Sequence, residues 1–284
     1  MASRATSPTV RLWQLAARLR ELRLANGHSI EDVANELLCS PAKVSRMESA
    51  GRGIQPRDVR DLARFYGVSD PERQELEHLL QESRKRGWWQ VPSTVGAEAL
   101  TFYGLEEDAS GTRVADARVV HGLFQTEAYM RALLRGLRPP GDAWQAQIDE
   151  RVATRLERQR RFWAGSRELQ LIMDETCITR IIGDRDVMRE QISRLIEVVQ
   201  APRVTIRVVP FDRGSSPMID GSFQILSFPE QMLADAVFVE GLLGMFVIDK
   251  KERVDEYINS WNYIRDFVAL TPDESISWLQ SRAA

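Results

Sequence analysis

Apolar residues recur at intervals of three and four along the first quarter of the chain. Between Val10 and Ala25 they fall at Leu12, Leu15, Ala16, Leu19, Leu22 and Leu24, which predicts an amphipathic helix closed by Gly27. Ser29 opens a second helix, with Asp32 three residues on in a capping-box arrangement and Ile30, Val33, Ala34 and Leu37 as its apolar face. Ser40 caps a third, Pro41 stands in its first turn, and Val44 and Met47 point inward. Gln55-Pro56 starts a fourth, with Val59, Leu62, Ala63 and Tyr66 inside, ending at Gly67. Asp70-Pro71 starts a fifth, with Leu76, Leu79 and Leu80. No strand signal interrupts the five.

The pattern then changes. Charges, Gly, Pro and Ser cluster in RKRGWWQVPSTVG, residues 84 to 96, which reads as a boundary: a domain over 1–86, a linker over 87–96 and a second domain over 97–284. The second part opens with helical segments at 97–110, 126–135 and 143–163. After Gly165 come short runs rich in Val, Ile and Phe, "ELQLIMD", "RVTIRVVP", "GSFQILSF", "DAVFVEG" and "GMFVID", bounded by Gly, Pro and Asp. A helix over about 186–200 separates the first two and makes a crossover for a parallel pair; the later runs follow short turns and should pair antiparallel. An amphipathic helix over 251–270 closes the chain. The expected class is α+β: an all-α five-helix N-terminal domain, then an α/β domain around a mixed sheet of about five strands.

Composition narrows the function. Hydrophobic content of 43% and charged content of 28% over 284 residues fit an ordinary globular protein. No stretch reads as a membrane span or a secretion signal, and Cys39 and Cys177 are in no metal-ligand spacing, so a cytoplasmic protein without metal or cofactor is expected. The net charge of −3 hides an asymmetry: residues 1–66 carry 11 Lys and Arg against 7 Asp and Glu, a net of +4, which leaves −7 for the remaining 218. A basic head on an acidic body points to a nucleic-acid-binding module joined to something else.

Catalytic chemistry is sparse. His28, His78 and His121 share no motif and read as structural or solvated. Asp174-Glu175 follows a strand run, with Asp184 and Asp186 near, but no nucleophile, histidine partner or phosphate loop accompanies them. "RLERQRRFW" reads as a solvated helix face before it reads as a basic stripe. The chain is not expected to be an enzyme.

The third helix carries the specific signal. With about 100° between successive residues, Ala42, Ser45, Arg46 and Ser49 lie opposite Val44 and Met47. Two short helices joined by the tight "LLCS" turn, the second with a small outer face carrying Arg, form a helix-turn-helix. Small residues let such a helix enter the major groove closely, and an arginine can bond both acceptors of guanine.

"LRELRLANGHSIEDVANELLCSPAKVSRMESAGRGIQPRDVRDLARFYGV", residues 19 to 68, resembles the Xre/Cro-like phage-repressor family of helix-turn-helix proteins. The resemblance implies that Ser40, Pro41, Ala42 and Arg46, with Ser45 beside them, face bases or the adjoining backbone, and that Arg23 and Glu48 form a structural ion pair. Two departures stand out: Ile30 occupies a position where the family often has a phosphate-contacting Gln, and the turn "SAGRGIQP" is one residue longer. Phosphate contacts are therefore expected from Lys43, Arg52 and Arg57 and from backbone amides. The second domain is similar to a domain of unknown function that follows such headers in actinobacterial regulators, through "FYGLEEDAS", "VVHGLFQTEAYMRALL", "RVATRLERQ", "IMDETCI", "MREQISRLIEV", "VTIRVVPFDRG", "GSFQILSF" and "LTPDES". Where that family usually has Pro, this chain has His121.

The expected function is sequence-specific binding of double-stranded DNA by a homodimeric transcriptional regulator whose C-terminal domain dimerises and senses a small molecule or small protein. The resemblance also implies an alternative, an antitoxin-like module that neutralises a small co-encoded protein and autoregulates its operon. An enzyme with a DNA-binding header would be distinguished only by turnover of a small substrate.

Overall fold

The computed structural model describes residues 6–51, 54–90, 96–137, 141–229, 232–241 and 244–283. The chain divides into two compact units, Met1–Gln90 with Glu230–Leu233, and Val91–Pro229 with Ala234–Ala284. Of the expected linker 87–96, residues 91–95 lie outside the described residues.

The N-terminal unit holds five helices, α1 (Pro8–Ala25), α2 (Ile30–Glu36), α3 (Pro41–Glu48), α4 (Pro56–Phe65) and α5 (Asp70–Ser83). Their starts follow from local chemistry: Ser7, Ser29, Ser40 and Ser69 each accept a hydrogen bond from a first-turn amide, and proline stands in the first turn of every helix but α2. At α2 the capping box is complete, and the Ser29 amide and hydroxyl hold the Asp32 carboxyl below its ordinary pKa. Leu15, Leu19, Leu22, Val33, Val44, Met47, Val59, Leu62, Leu76 and Leu80 form one core. α1 packs along α5 and α2 along α3.

The C-terminal unit is a six-stranded mixed sheet. The elements run α6 (Ala97–Glu106), β1 (Gly111–Asp116), α7 (Glu127–Gly136), α8 (Asp142–Ala164), β2 (Glu168–Asp174), α9 (Thr176–Thr179), α10 (Arg185–Val198), β3 (Val204–Val209), β4 (Phe223–Ser227), β5 (Ala236–Gly241), β6 (Gly244–Ile248), α11 (Lys251–Tyr263) and α12 (Pro272–Ala283). The strand order is β3-β2-β1-β4-β5-β6. β2 pairs parallel with β1 and β3, while β4, β5 and β6 continue antiparallel from β1. One face, with Val114, Leu171, Met173, Ile206 and Val208, packs on Tyr129, Phe162, Ile192, Leu195 and Leu279. The other, with Ala115, Ile172, Ile225 and Val237, packs on Val254, Trp261 and Ile264 of the α11 region.

The expected class, a five-helix domain followed by a mixed-sheet domain, is present, and two details differ. The sheet of about five strands has six, and the one not read from the sequence, β1, lies at its centre. "GTRVAD" reads poorly as a strand because Arg113 and Asp116 break the apolar run. The fold supplies their partners: Arg113 reaches Asp235 at 3.0 Å, and Asp116 meets His121 Nδ1 at 3.0 Å. The expected closing helix over 251–270 ends as α-helix at Tyr263, passes through a π-helical turn at Ile264–Val268, and is followed by α12. Thr271 and Glu274 cap α12 reciprocally.

Candidate nucleic-acid interface

α3 is held from three sides. Val44 and Met47 sink into the core beneath it. At its start the Ser40 hydroxyl accepts the Lys43 amide at 3.3 Å, and Pro41 occupies the first turn. At its end Glu48 receives a two-point ion pair from Arg23, Nε to Oε1 at 2.7 Å and Nη2 to Oε2 at 2.9 Å, and Arg23 Nη1 also donates to the His28 carbonyl at 3.0 Å. Both side chains are about nine-tenths buried, so the pair expected from the family resemblance is present and internal. Glu48 braces α3 from behind.

The outward face is as the spacing requires: Ser40, Pro41, Ala42, Ser45, Arg46 and Ser49 are exposed. The Arg46 guanidinium has no hydrogen bond or ion pair among the described residues, and its neighbours on this face, Ala42, Ser45 and Ser49, are small.

The expected phosphate contacts divide three ways. Arg57, at the start of α4, is 74% exposed and lies 3.9 Å from Asp58, too long for a hydrogen bond. Arg52 lies outside the described residues. Lys43 Nζ instead donates to Asp58 Oδ1 at 2.7 Å, while Asp58 Oδ2 accepts the Gln55 amide at 2.9 Å. Asp58 is buried, so Lys43 ties α3 to α4 and would have to leave that partner to reach a phosphate. Sequence reasoning missed this bond because it joins residues on different helices, at a distance set by the crossing of α3 and α4. Ile30, where a polar contact is common in the resembling family, packs against the core.

Elsewhere the candidate chemistry is absorbed by structure. His28 stacks on Phe65 at 4.4 Å, His78 is exposed on α5, and His121 is buried against Asp116. Asp174 accepts the Thr176 amide and hydroxyl, Glu175 accepts the Phe211 amide at 2.9 Å, and Asp184 caps α10. In "RLERQRRFW", Arg158 pairs with Glu106, Arg160 with Glu157, and Arg161 with Glu157 and Glu107, while Arg155 donates to Gln125 Oε1 at 3.3 Å, so each of the four arginines has a partner within the unit. Among the described residues no group of His, Cys, Asp and Glu is arranged to hold a metal ion, and no helix is long and apolar enough to cross a membrane.

Residues 14–76 match the model of a helix-turn-helix domain, and residues 100–281 match that of a domain of unknown function (DUF5753). No curated protein and no solved structure matches the chain.

Proposed function

Because the chain belongs to the DUF5753 family and carries a helix-turn-helix domain ahead of that region, we propose that it is a cytoplasmic, sequence-specific DNA-binding transcriptional regulator whose C-terminal domain dimerises and senses a small molecule. The observation that carries the reading is the outer face of α3: small, exposed, and armed with one uncommitted arginine on a helix braced from behind.

A dimer follows from the arithmetic of recognition. One such helix reads only a few base pairs, too few for selectivity against a genome of competing sites. Two-fold dimers of helix-turn-helix proteins solve this with half-sites about 34 Å apart. Most apolar residues of α11 are used by the unit's own core, with Tyr263 and, just beyond it, Phe267 left exposed; β6 offers a second apolar surface. It is an edge strand, and Phe246 and Val247 on it are 55% and 43% exposed. An exposed apolar edge is a template for pairing with a second chain. The antitoxin-like alternative draws on the same strand, with a small co-encoded protein as its occupant.

Sensing is supported by a cavity of about 550 Å³ within the C-terminal unit, in the size range of small-molecule sites. Phe223 and Tyr257 meet edge to face at 5.0 Å on its wall, Val239 and Ile248 extend the apolar lining, and Arg253 and Glu256 supply charge.

Selection of duplexes from a random pool, followed by light scattering with and without the selected duplex, tests the reading. The expected species is a dimer of the 32.4 kDa chain on a site with two-fold symmetry. A monomer both on and off the duplex contradicts the dimer, and failure to enrich any sequence contradicts the reader.

A further inference from the structure

Four helices of the N-terminal unit end in the same six-residue turn, α3 among them, where the Gly51 amide donates to the Arg46 carbonyl at 2.7 Å and Ala50 has φ +54°. After α1, the His28 amide donates to the Arg23 carbonyl at 3.1 Å and the Gly27 amide to Leu24 at 3.0 Å, with Gly27 at φ +71°. After α4, Val68 donates to Ala63 at 3.1 Å and Gly67 to Arg64 at 3.2 Å, with Gly67 at φ +64°. After α2, Cys39 donates to Ala34 at 2.9 Å and the next-to-last position has φ +48°, but that residue is Leu38. Glycine enters this left-handed conformation freely; a leucine Cβ crowds the following carbonyl.

Leu38 recovers nothing for that strain inside the fold. Its side chain is 94% exposed. Among the described residues Leu38 and Ala50 are the non-glycine residues with positive φ, one in the turn that ends α2 and the other in the turn that ends α3. Leu38 lies two residues from Ser40, the N-cap of the helix whose outer face would read the duplex. A large apolar side chain held in a strained turn, exposed to solvent two residues from the cap of α3, gains a role only from a partner met outside the chain.

We propose that Leu38 is an apolar contact to double-stranded DNA, set against a thymine methyl group or the deoxyribose face at the edge of the site that α3 reads. The inference rests on the DNA-reading role of α3. Thymine is the base with an apolar group in the major groove, and a leucine seated there sheds water without touching a phosphate. It therefore adds affinity without adding to the salt dependence, which counts neutralised phosphates.

The test uses the full chain and the duplex that the wild type selects from a random pool. L38G is expected to melt at a higher temperature than wild type, since it relieves the left-handed strain, and yet to bind the selected duplex roughly tenfold more weakly, the scale of one buried leucine side chain. The slope of log affinity against log salt should be unchanged. L38N, which tolerates the same φ without glycine's looseness, should bind as weakly as L38G. Replacing thymidine by deoxyuridine in the selected duplex separates the two sources: wild-type affinity falls to that of L38G if the methyl group is the contact, and holds if the sugar is. Wild-type affinity in L38G overturns the proposal, as does wild-type affinity in L38N alone, which would assign the effect to turn stiffness. If the wild-type chain enriches no duplex, the reading of α3 fails instead.

Discussion

Glu106→Ala should destabilise the C-terminal unit by about 3–5 kcal/mol, the loss expected when one partner of a buried ion pair is removed. Glu106 ends α6 with 3% of its surface exposed. Its two oxygens accept from Arg158 Nε at 2.6 Å and Nη2 at 2.8 Å, and Arg167 Nη2 lies 3.2 Å from Oε1. Arg167 also donates to the Glu106 carbonyl, and the Arg158 guanidinium covers the ring of Phe102 at 5.1 Å. Alanine would leave two buried guanidinium groups without their carboxylate. The same geometry fixes a pH dependence. Burial pushes the Glu106 pKa up, but the charges of Arg158 and Arg167 and the Arg158 hydrogen bonds outweigh it and hold the carboxyl at about 2. A glutamate in the unfolded chain titrates near about 4.3. The stabilisation is therefore complete above that value and is lost as pH falls toward 2. Denaturant unfolding followed by circular dichroism should show wild-type stability declining through this acid window and Glu106→Ala declining less. A loss under about 1 kcal/mol at neutral pH would mean that the arginines reach water.

Glu48→Ala should have an effect of similar size on the N-terminal unit, about 3–5 kcal/mol, because Arg23 is left buried and unpaired. The consequence for DNA is indirect. Arg23 joins α1 to the last turn of α3 and holds the His28 carbonyl after α1, so its release frees the end of α3. Binding should weaken in proportion to the unfolded fraction and recover on cooling, while the preferred sequence stays the same. An unaltered melting curve would show that the pair is not internal; an altered sequence preference with unaltered stability would make Glu48 a reader instead of a brace.

All five helices of the N-terminal unit were legible because each carries several local signals drawn from three-and-four spacing, a Ser or Gln cap, a proline in the first turn (absent only in α2) and, after α1 and α4, a glycine. The outer face of α3 was legible for the same reason, since helical geometry alone sets Ala42, Ser45 and Arg46 opposite Val44 and Met47. What escaped depends on distant partners. β1 carries Arg113 at the centre of the sheet because Asp235, 122 residues on, supplies its partner; Asp116 at its end is met by His121 five residues later. The Lys43–Asp58 bond depends on how two helices cross. The left-handed turn at Leu38 was hidden because the residue type that usually marks it is absent. α12 is the exception, since Thr271, Pro272 and Glu274 form a local start signal that could have been read.

The central claim is that Arg46 reads bases from α3, and one comparison bears on it most directly: the affinities of wild type, Arg46→Ala and Arg57→Ala for the selected duplex and for a scrambled duplex of equal length, across a salt series. Arg46→Ala should lose about 1–3 kcal/mol on the selected duplex and much less on the scrambled one, the signature of one two-point base contact. Arg57→Ala should weaken both alike and reduce the salt slope by about one. Equal losses for Arg46→Ala on the selected and scrambled duplexes would contradict the account.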